Sequence, residues 1–179
     1  MINLRDVSKK YDEKLKKIKV ALFDCDGILT DGKVFYQGSE MGFNRFFHVA
    51  DGYGMRLLMR SGIEVGVISG GDSLGVHKRL DLLGVTLKYL GNENKKQAYL
   101  EIKEKTGASD DEILYMGDDL FDIPLLNVVG FSATVNHASL EVQEACDYVC
   151  QKAGGLGAAR EVIDLIRYSQ GIFPELEAI

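Results

Sequence analysis

Residues 18–27 read IKVALFDCDG, an apolar and partly β-branched run that stops abruptly at an acidic pair and a glycine. Such a run is typical of a buried parallel strand, and the glycine indicates a tight turn. Three more apolar runs end in a similar way, at residues 63–68 before Ser69, 86–90 before Gly91 and 113–116 before Gly117. Residues 131–135 and 148–150 predict two weaker strands, so we expect a sheet of six strands in all.

Segments with helical periodicity separate these strands, at residues 53–60, 74–83, 95–106, 120–128 and 157–169. The alternation predicts an α/β fold with a three-layer, doubly wound parallel sheet of the Rossmann-like kind. Residues 33–49 interrupt the alternation and predict a short inserted β-hairpin. The lysine-rich residues 1–17 are expected to form an N-terminal arm or helix. In such a sheet, ligands bind beyond the carboxyl ends of the strands.

The composition favours a single globular domain over residues 1–179, since 46% of the residues are hydrophobic and 27% are charged. With 21 basic and 27 acidic side chains, the net charge is −6, and nucleic acid is not an expected partner. No apolar run reaches the ~18 residues of a membrane-spanning helix, so no membrane partner is expected. Three cysteines without a paired spacing favour a reducing, cytoplasmic location.

Polar side chains follow the predicted strands at their carboxyl ends. Asp24 and Asp26 follow the first strand, Ser69 the second, and Asp118 and Asp119 the fourth. Because these ends open onto one edge of a parallel sheet, the side chains are expected to lie together. Neighbouring carboxylates repel each other and need a cation or a proton between them. Mg²⁺ prefers hard oxygen ligands and suits Asp24, Asp118 and a backbone carbonyl, while Asp26, among acidic neighbours, can hold the proton.

The order of the motifs is more specific than any single residue, since an aspartate alone is typical of a helix cap and a lysine alone of a solvated surface. Asp-x-Asp-Gly at 24–27, Ser-Gly at 69–70, Lys95 and Gly-Asp-Asp-x-x-Asp at 117–122 resemble the motif set of the haloacid dehalogenase (HAD) superfamily of phosphatases. Residues 30–32, 49–54 and 153–161 look like the cap-less family of 3-deoxy-D-manno-octulosonate 8-phosphate (KDO 8-phosphate) phosphatases. The resemblance spans residues 18–171.

This resemblance implies a role for each motif residue. Asp24 would be the nucleophile and Asp26 the general acid and base. The groups holding the phosphoryl oxygens would be Ser69, Gly70 and Lys95. The Mg²⁺ ligands would be Asp24, the Asp26 carbonyl and Asp118, supported by Asp119 and Asp122.

The implied activity is that of a Mg²⁺-dependent phosphomonoesterase that forms an aspartyl-phosphate. Its substrate would be KDO 8-phosphate, hydrolysed to KDO and phosphate in lipopolysaccharide precursor synthesis. The family also implies a homotetramer in which the inserted hairpins close neighbouring sites. The hairpin here offers apolar surface for such contacts, through Val34, Phe35, Tyr36, Phe43, Phe46 and Phe47. A hairpin folded onto its own domain is the alternative.

Three positions depart from the family pattern, because arginine is common where this chain has Ala50, Gly71 and Leu156. Arginine binds a carboxylate through two parallel hydrogen bonds, which these residues cannot replace. Candidate substrate-binding residues in their place are Asp31, Arg45, Arg79 and Arg160. A nonulosonate (sialic-acid-like) 9-phosphate is therefore an alternative substrate.

Two alternatives of another class use the same architecture. A non-enzymatic phospho-receiver signalling module also has an acidic pocket, a serine or threonine and a lysine. In receivers the lysine comes last along the chain, whereas Lys95 here precedes Asp118 and Asp119. A catalytically silent subunit is the second alternative, although every expected catalytic position is filled.

Overall fold

Eight strands and eight helices organise the part of the chain that the computed structural model describes, residues 2–92 and 94–174. In chain order the strands are β1 (Val20–Phe23), β2 (Phe35–Tyr36), β3 (Phe43–Asn44), β4 (Glu64–Ser69), β5 (Leu87–Leu90), β6 (Ile113–Met116), β7 (Phe131–Thr134) and β8 (Tyr148–Val149). The helices are α1 (Leu4–Lys10), α2 (Asp12–Leu15), α3 (Val49–Arg60), α4 (Leu74–Leu83), α5 (Lys95–Thr106), α6 (Ile123–Leu126), α7 (Leu140–Glu144) and α8 (Ala158–Gln170).

Six strands form one sheet in the order β5-β4-β1-β6-β7-β8, and all its neighbouring pairs are parallel. In the middle of the sheet, Val20 of β1 lies opposite Glu64 of β4 on one side and Ile113 of β6 on the other. Because β1, β4 and β6 run in the same direction and in this register, the residues that follow them meet at one edge. The predicted doubly wound parallel sheet is confirmed.

Helices cover both faces of the sheet, because successive side chains of a strand point to opposite sides. Ala21 and Phe23 of β1 pack with buried residues of α3, α4 and α8. Val20 and Leu22 pack on the other face, with buried residues of α5 and α6. The sheet is thus the middle of three layers, and its apolar strands fix the backbone from which the polar edge residues project.

The helices depart from the predicted bounds in several places. α3 begins at Val49 rather than at residue 53, and α7 forms where the sequence predicts no helix. Residues 120–128 are not one helix: a 3₁₀ turn over Leu120–Asp122 precedes α6. The Asp122 side chain accepts hydrogen bonds from the backbone amides of Asp118 and Asp119, which tightens this turn.

The N-terminal residues form α1 and α2 rather than a free arm. The two helices meet at Tyr11, whose hydroxyl donates to the Asp147 carbonyl at 3.0 Å. The Tyr11 ring packs edge-on against Phe131, with 5.3 Å between ring centroids. α1 also packs along α8, so this segment covers the end of the core opposite the polar edge.

β2 and β3 form the predicted hairpin, pairing Phe35 with Asn44 and Tyr36 with Phe43. The base of the hairpin docks on its own chain, where Asn44 is only 8% exposed and lies against Gly75 at the start of α4. Its aromatic side chains remain open to solvent, with Tyr36 62% and Phe46 72% exposed. The connection from β1 to α3 contains this hairpin and no further domain, which confirms the absence of a cap.

Within residues 2–92 and 94–174, no helix is long and apolar enough to cross a bilayer.

Candidate active site

Asp24 and Asp26 occupy the loop that leaves the carboxyl end of β1. Asp24 is 3% exposed, and its backbone is still extended at φ −71° and ψ 163°. Gly27 follows at φ +88°, a left-handed conformation that glycine adopts without strain. The turn sends the chain away from the sheet and leaves both carboxylates lining a cleft at its edge.

Asp118 faces this loop from the carboxyl end of β6. A Cβ on Gly27 would come within 1.9 Å of Asp118 Oδ2, so only glycine leaves room for that carboxylate. Asp118 Oδ1 is buried without a hydrogen-bond partner among the described residues. Carboxylate oxygens of Asp24, Asp118 and Asp122 all lie within 4.8 Å of one another. An unpartnered buried carboxylate oxygen beside a second carboxylate fits a divalent cation with oxygen ligands.

The electrostatics of the two metal-facing carboxylates support that fit. Burial raises the pKa of Asp118 to about 8, and the neighbouring charges of Asp24 and Asp122 contribute to this rise. Burial also raises the pKa of Asp24 to about 6, partly opposed by Lys95. In the folded protein both carboxylates therefore lack sufficient positive charge nearby. A bound Mg²⁺ would supply that charge.

Lys95 provides the cation of the site from the first turn of α5. Its Nζ lies 2.8 Å from Asp24 Oδ1 and 2.6 Å from Asp122 Oδ1, and the whole residue is 2% exposed. The ammonium also lies over the Phe121 ring, 4.7 Å from its centroid. The carboxylates of Asp24 and Asp122 thus fix the Lys95 ammonium beside the proposed phosphoryl site.

Asp122 orients its neighbours through hydrogen bonds and has no free oxygen to offer a metal ion. One oxygen accepts hydrogen bonds from Lys95 and from the Tyr115 hydroxyl, the latter at 2.5 Å. The other oxygen accepts from the backbone amides of Asp118 and Asp119, at 3.0 and 3.1 Å. Although Asp122 lies close enough to count among possible metal ligands, its oxygens are already occupied. Asp119 is exposed and caps the 3₁₀ turn through the Leu120 amide.

Ser69 and the two glycines after it form the wall contributed by β4. Ser69 is the last residue of the strand and 1% exposed, and its Oγ accepts a hydrogen bond from the Gly71 amide at 3.1 Å. Ser69, Gly70 and Gly71 all line the same cleft as Asp24 and Asp118. A hydroxyl and exposed backbone at this place can bind phosphate oxygens.

Asp26 pairs with Arg45, which reaches it from the base of the hairpin. Arg45 Nη2 donates to Asp26 Oδ2 at 2.7 Å, and Nε donates to Oδ1. The sequence suggests wholly anionic surroundings for Asp26, and the structure corrects this, because Arg45 supplies a cation. Arg45 itself is not among the residues that line the cleft.

The other proposed substrate-binding residues lie in separate contacts. Asp31 pairs with Lys33 at 3.0 Å, and the Arg79 guanidinium lies over the Phe47 ring. Arg160 pairs with Asp164 at 2.8 Å and donates to the Ala50 carbonyl. The described chain therefore does not bring these three side chains into the cleft with Asp24.

Two residues of the site escape prediction from sequence. Tyr115 is fully buried within β6, and its hydroxyl joins Lys95 and Asp122. Phe121 lines the cleft and covers Lys95. The sequence does contain one signal for Tyr115, which is a tyrosine inside an otherwise aliphatic strand. A buried tyrosine hydroxyl needs a polar partner.

The cleft has a volume of about 190 Å³. Pockets that enclose a small molecule commonly have ~300–1,000 Å³. The residues of one chain therefore form room for a phosphoryl group and a cation, and leave the rest of a sugar-sized ligand uncovered.

The chain is similar to known proteins over most of its length. The family model of haloacid dehalogenase-like hydrolases matches residues 89–161. The 3-deoxy-D-manno-octulosonate 8-phosphate phosphatase of Haemophilus influenzae is 38% identical over 159 residues, which cover 89% of this chain and 88% of that protein. The corresponding phosphatase of Escherichia coli (strain K12) is 38% identical over 169 residues, with 94% and 89% covered.

Solved structures of such phosphatases share the fold. The enzyme from Moraxella catarrhalis, solved in complex with a magnesium ion, a phosphate ion and KDO, has a TM-score of 0.86 and 35% identity over 91% of this chain and 93% of that chain. The cobalt-bound form from Haemophilus influenzae has a TM-score of 0.84 and 38% identity, covering 88% and 92%.

Proposed function

Because the chain belongs to the HAD-like hydrolases and, among them, to the family of KDO 8-phosphate phosphatases, we propose that it hydrolyses KDO 8-phosphate to KDO and phosphate with Mg²⁺. This is a step in lipopolysaccharide precursor synthesis. The observation that carries the proposal is that Asp24 and Asp118 line one cleft, while the buried Lys95 ammonium lies 2.8 Å from Asp24. Family membership favours this phosphatase over a phospho-receiver module.

Asp24 acts as the nucleophile in this proposal. Its carboxylate attacks phosphorus, and the bond from phosphorus to the ester oxygen breaks, which leaves a phosphoryl group on Asp24. Lys95 and the Ser69 hydroxyl bind the phosphoryl oxygens as their charge is redistributed. Mg²⁺, held by Asp24, Asp118 and the Asp26 carbonyl, supplies further positive charge to the same oxygens.

Asp26 moves the protons. It gives a proton to the departing sugar oxygen, and general acid catalysis of this kind contributes ~10²–10⁴-fold. In the second half of the reaction it takes a proton from a water molecule. That water attacks the phosphoryl group on Asp24, which releases phosphate and restores the carboxylate.

The size of the cleft supports an assembly in which a neighbouring chain completes the site. One chain leaves a sugar acid largely uncovered, while the hairpin exposes two aromatic pairs, Phe35 with Phe46 and Tyr36 with Phe43. Exposed apolar patches of this kind mark interaction surfaces. The proposal therefore includes a homotetramer formed through the hairpins. It also includes a cytoplasmic location, since Cys25, Cys146 and Cys150 are free thiols.

A nonulosonate 9-phosphate is the second candidate substrate, because positions 71 and 156 carry glycine and leucine instead of the arginines expected for KDO 8-phosphate. Leu156 lies in the glycine-rich loop at residues 153–157, here called the tail loop, and its uncharged side chain is 63% exposed. A longer sugar acid needs that additional space.

The proposal is tested by phosphate release from KDO 8-phosphate in the presence of Mg²⁺ and after chelation. We expect turnover with Mg²⁺, none with EDTA, and recovery when Mg²⁺ is restored. Asp24→Asn should lose at least ~10³-fold in kcat, because it removes the nucleophile and a metal ligand together. Full turnover in EDTA, or near-wild-type turnover of a folded Asp24→Asn variant, contradicts the proposal.

A further inference from the structure

Every nitrogen of the Arg45 guanidinium is engaged. Nε and Nη2 both donate to the Asp26 carboxylate, and Nη1 donates to Ser73 Oγ at 3.2 Å. The Arg45 side chain is 7% exposed, whereas that of Asp26 is 33% exposed. Asp26 lines the cleft, whereas Arg45 is not among the residues that line it, so the arginine contacts the carboxylate from outside the ligand space.

Gly71 makes this contact possible. A Cβ at position 71 would come within 2.6 Å of Arg45 Nη2 and 2.8 Å of Asp26 Oδ2. The backbone of Gly71 does not have the positive φ that would itself require glycine. Glycine at position 71 therefore leaves space beside Asp26, and the Arg45 guanidinium occupies that space. Asn44 docks in the same manner against Gly75, where a Cβ would meet its Oδ1 at 2.2 Å.

A bidentate contact fixes both the position and the plane of a carboxylate. Each carboxylate oxygen has two lone-pair directions, so a fork that takes one on each oxygen leaves Asp26 Oδ2 with a lone pair that no described residue occupies. Thr30 adds a third constraint, since its Oγ1 lies 3.4 Å from Asp26 Oδ1. Without Arg45, the Asp26 side chain would be free to rotate about its χ angles.

We propose that Arg45 is a positioning residue that holds the Asp26 carboxyl at the angle needed for proton transfer to the leaving oxygen. The inference rests on the proposed function, in which Asp26 serves the leaving group. Arg45 then acts on catalysis through Asp26 and not as a ligand of the substrate. It also makes the docked base of the hairpin part of the catalytic apparatus.

The test compares two esters of similar shape, phenyl phosphate and p-nitrophenyl phosphate. Phenol is a far poorer leaving group than p-nitrophenol and depends more on the proton from Asp26. We expect Arg45→Met to lower kcat/KM for phenyl phosphate by about 10- to 100-fold, the cost of a misplaced catalytic group. The loss for p-nitrophenyl phosphate should stay within about threefold, since little protonation is needed there.

Two further variants address the same contact. Arg45→Lys keeps the charge but cannot form the fork, so it should show the same selective loss. Gly71→Ala should show it as well, because the methyl group separates Arg45 from Asp26. The double variant Gly71→Ala/Arg45→Met should be no worse than the single variants, as expected for two changes to one interaction. Arg56→Met, which removes a partly buried arginine that donates to the Leu82 carbonyl and does not line the cleft, should behave as wild type.

An equal loss for both aryl esters would overturn the proposal, since loosening of the hairpin alone would affect both alike. So would unchanged aryl-ester kinetics with a raised KM for KDO 8-phosphate, because Arg45 would then bind the sugar acid. A wild-type protein that hydrolyses none of these esters contradicts the proposed function itself, which separates the two failures.

Discussion

Gly154 lies directly against Gly27: a Cβ at position 154 would come within 1.7 Å of the Gly27 carbonyl oxygen. The Gly155 amide donates to the Ile28 carbonyl at 3.0 Å in the same contact. The glycine-rich loop before α8 therefore supports the loop that carries Asp24 and Asp26. This contact explains why the sequence has glycine so close to its C-terminal helix.

Gly154→Ala should damage both stability and turnover. The methyl group meets backbone, which cannot move aside as a flexible side chain can. We expect a loss of ~1–3 kcal/mol in the free energy of unfolding, as for other overpacked sites, and at least about a tenfold loss in kcat. Urea unfolding and steady-state kinetics measure the two effects.

Gly62→Ala is the matched control for this variant. Gly62 has φ +85°, and no atom lies within 4 Å of the place that a methyl group would take there. Alanine at this position therefore brings backbone strain of ~1–2 kcal/mol without a clash. Its kcat should equal that of the wild type. A Gly154→Ala protein that folds and turns over normally would show that the tail loop does not support the site.

The stability of the metal-free protein should depend on pH through Asp24 and Asp118. Burial raises their pKa values to about 6 and about 8 from the ordinary 3.8, so the folded state binds protons more tightly than the unfolded state. The contribution of these groups is complete below pH ~4 and is lost as the pH rises through their folded pKa values. Mg²⁺ binds the deprotonated carboxylates and should reverse most of this loss.

Urea unfolding in EDTA across this pH range measures the effect. Asp118→Asn should flatten the upper part of the curve, because the residue that titrates near pH 8 is gone. Stability that rises with pH in EDTA, or that is unaffected by Mg²⁺ at the alkaline end, would contradict the electrostatic account of the site.

Tyr115→Phe should weaken the site through Lys95 and Asp122. The hydroxyl joins these two buried charges, and removal leaves each without one partner, at a cost of ~1–3 kcal/mol. We expect a loss of about tenfold in kcat/KM as Lys95 becomes less well held. Tyr89→Phe is the control, since its hydroxyl bonds the exposed Lys105. Equal kinetics for the two variants would show that the Tyr115 hydroxyl does not support the site.

The exposed aromatic side chains of the hairpin should control the oligomeric state of the protein. Light scattering should give a mass several times 19.8 kDa, consistent with a tetramer. Phe46→Ser should reduce that mass, because the Phe46 ring is exposed and stacks with Phe35, 5.1 Å between centroids. Leu140→Ser on α7 changes a similarly exposed apolar residue and should leave the mass unchanged. A wild-type monomer would contradict the shared site.

The sequence predicts the parallel sheet and the grouping of Asp24, Ser69 and Asp118 because apolar runs with polar ends specify both at once. Lys95 is recognisable only from motif order, since its neighbour Lys96 carries the same charge. Its burial depends on long-range contacts with Tyr115 and Asp122, which no local pattern encodes. The same reason explains Arg45: a hairpin arginine is ordinarily solvated, and only the docking of the hairpin onto residues 71–75 brings it to Asp26.

The irregular segment after β6 shows a second limit of sequence patterns. Residues 120–128 have helical periodicity, but the Asp122 carboxylate draws the backbone amides of Asp118 and Asp119 toward itself and forms a tighter turn. The side chain thus competes with the helix for hydrogen bonds. The departure from regular helix lies where Asp118 must face Asp24.

Substrate selectivity is measured by kcat/KM for KDO 8-phosphate, a nonulosonate 9-phosphate and glucose 6-phosphate, with the same enzyme and the same Mg²⁺ concentration. We expect the highest value for KDO 8-phosphate, with the nine-carbon ester next. Glucose 6-phosphate should be lowest, because it has neither the carboxylate nor the chain length of the two sugar acids. Equal values for all three esters would contradict a dedicated sugar-acid phosphatase, and a clear preference for the nine-carbon ester would replace KDO 8-phosphate as its substrate.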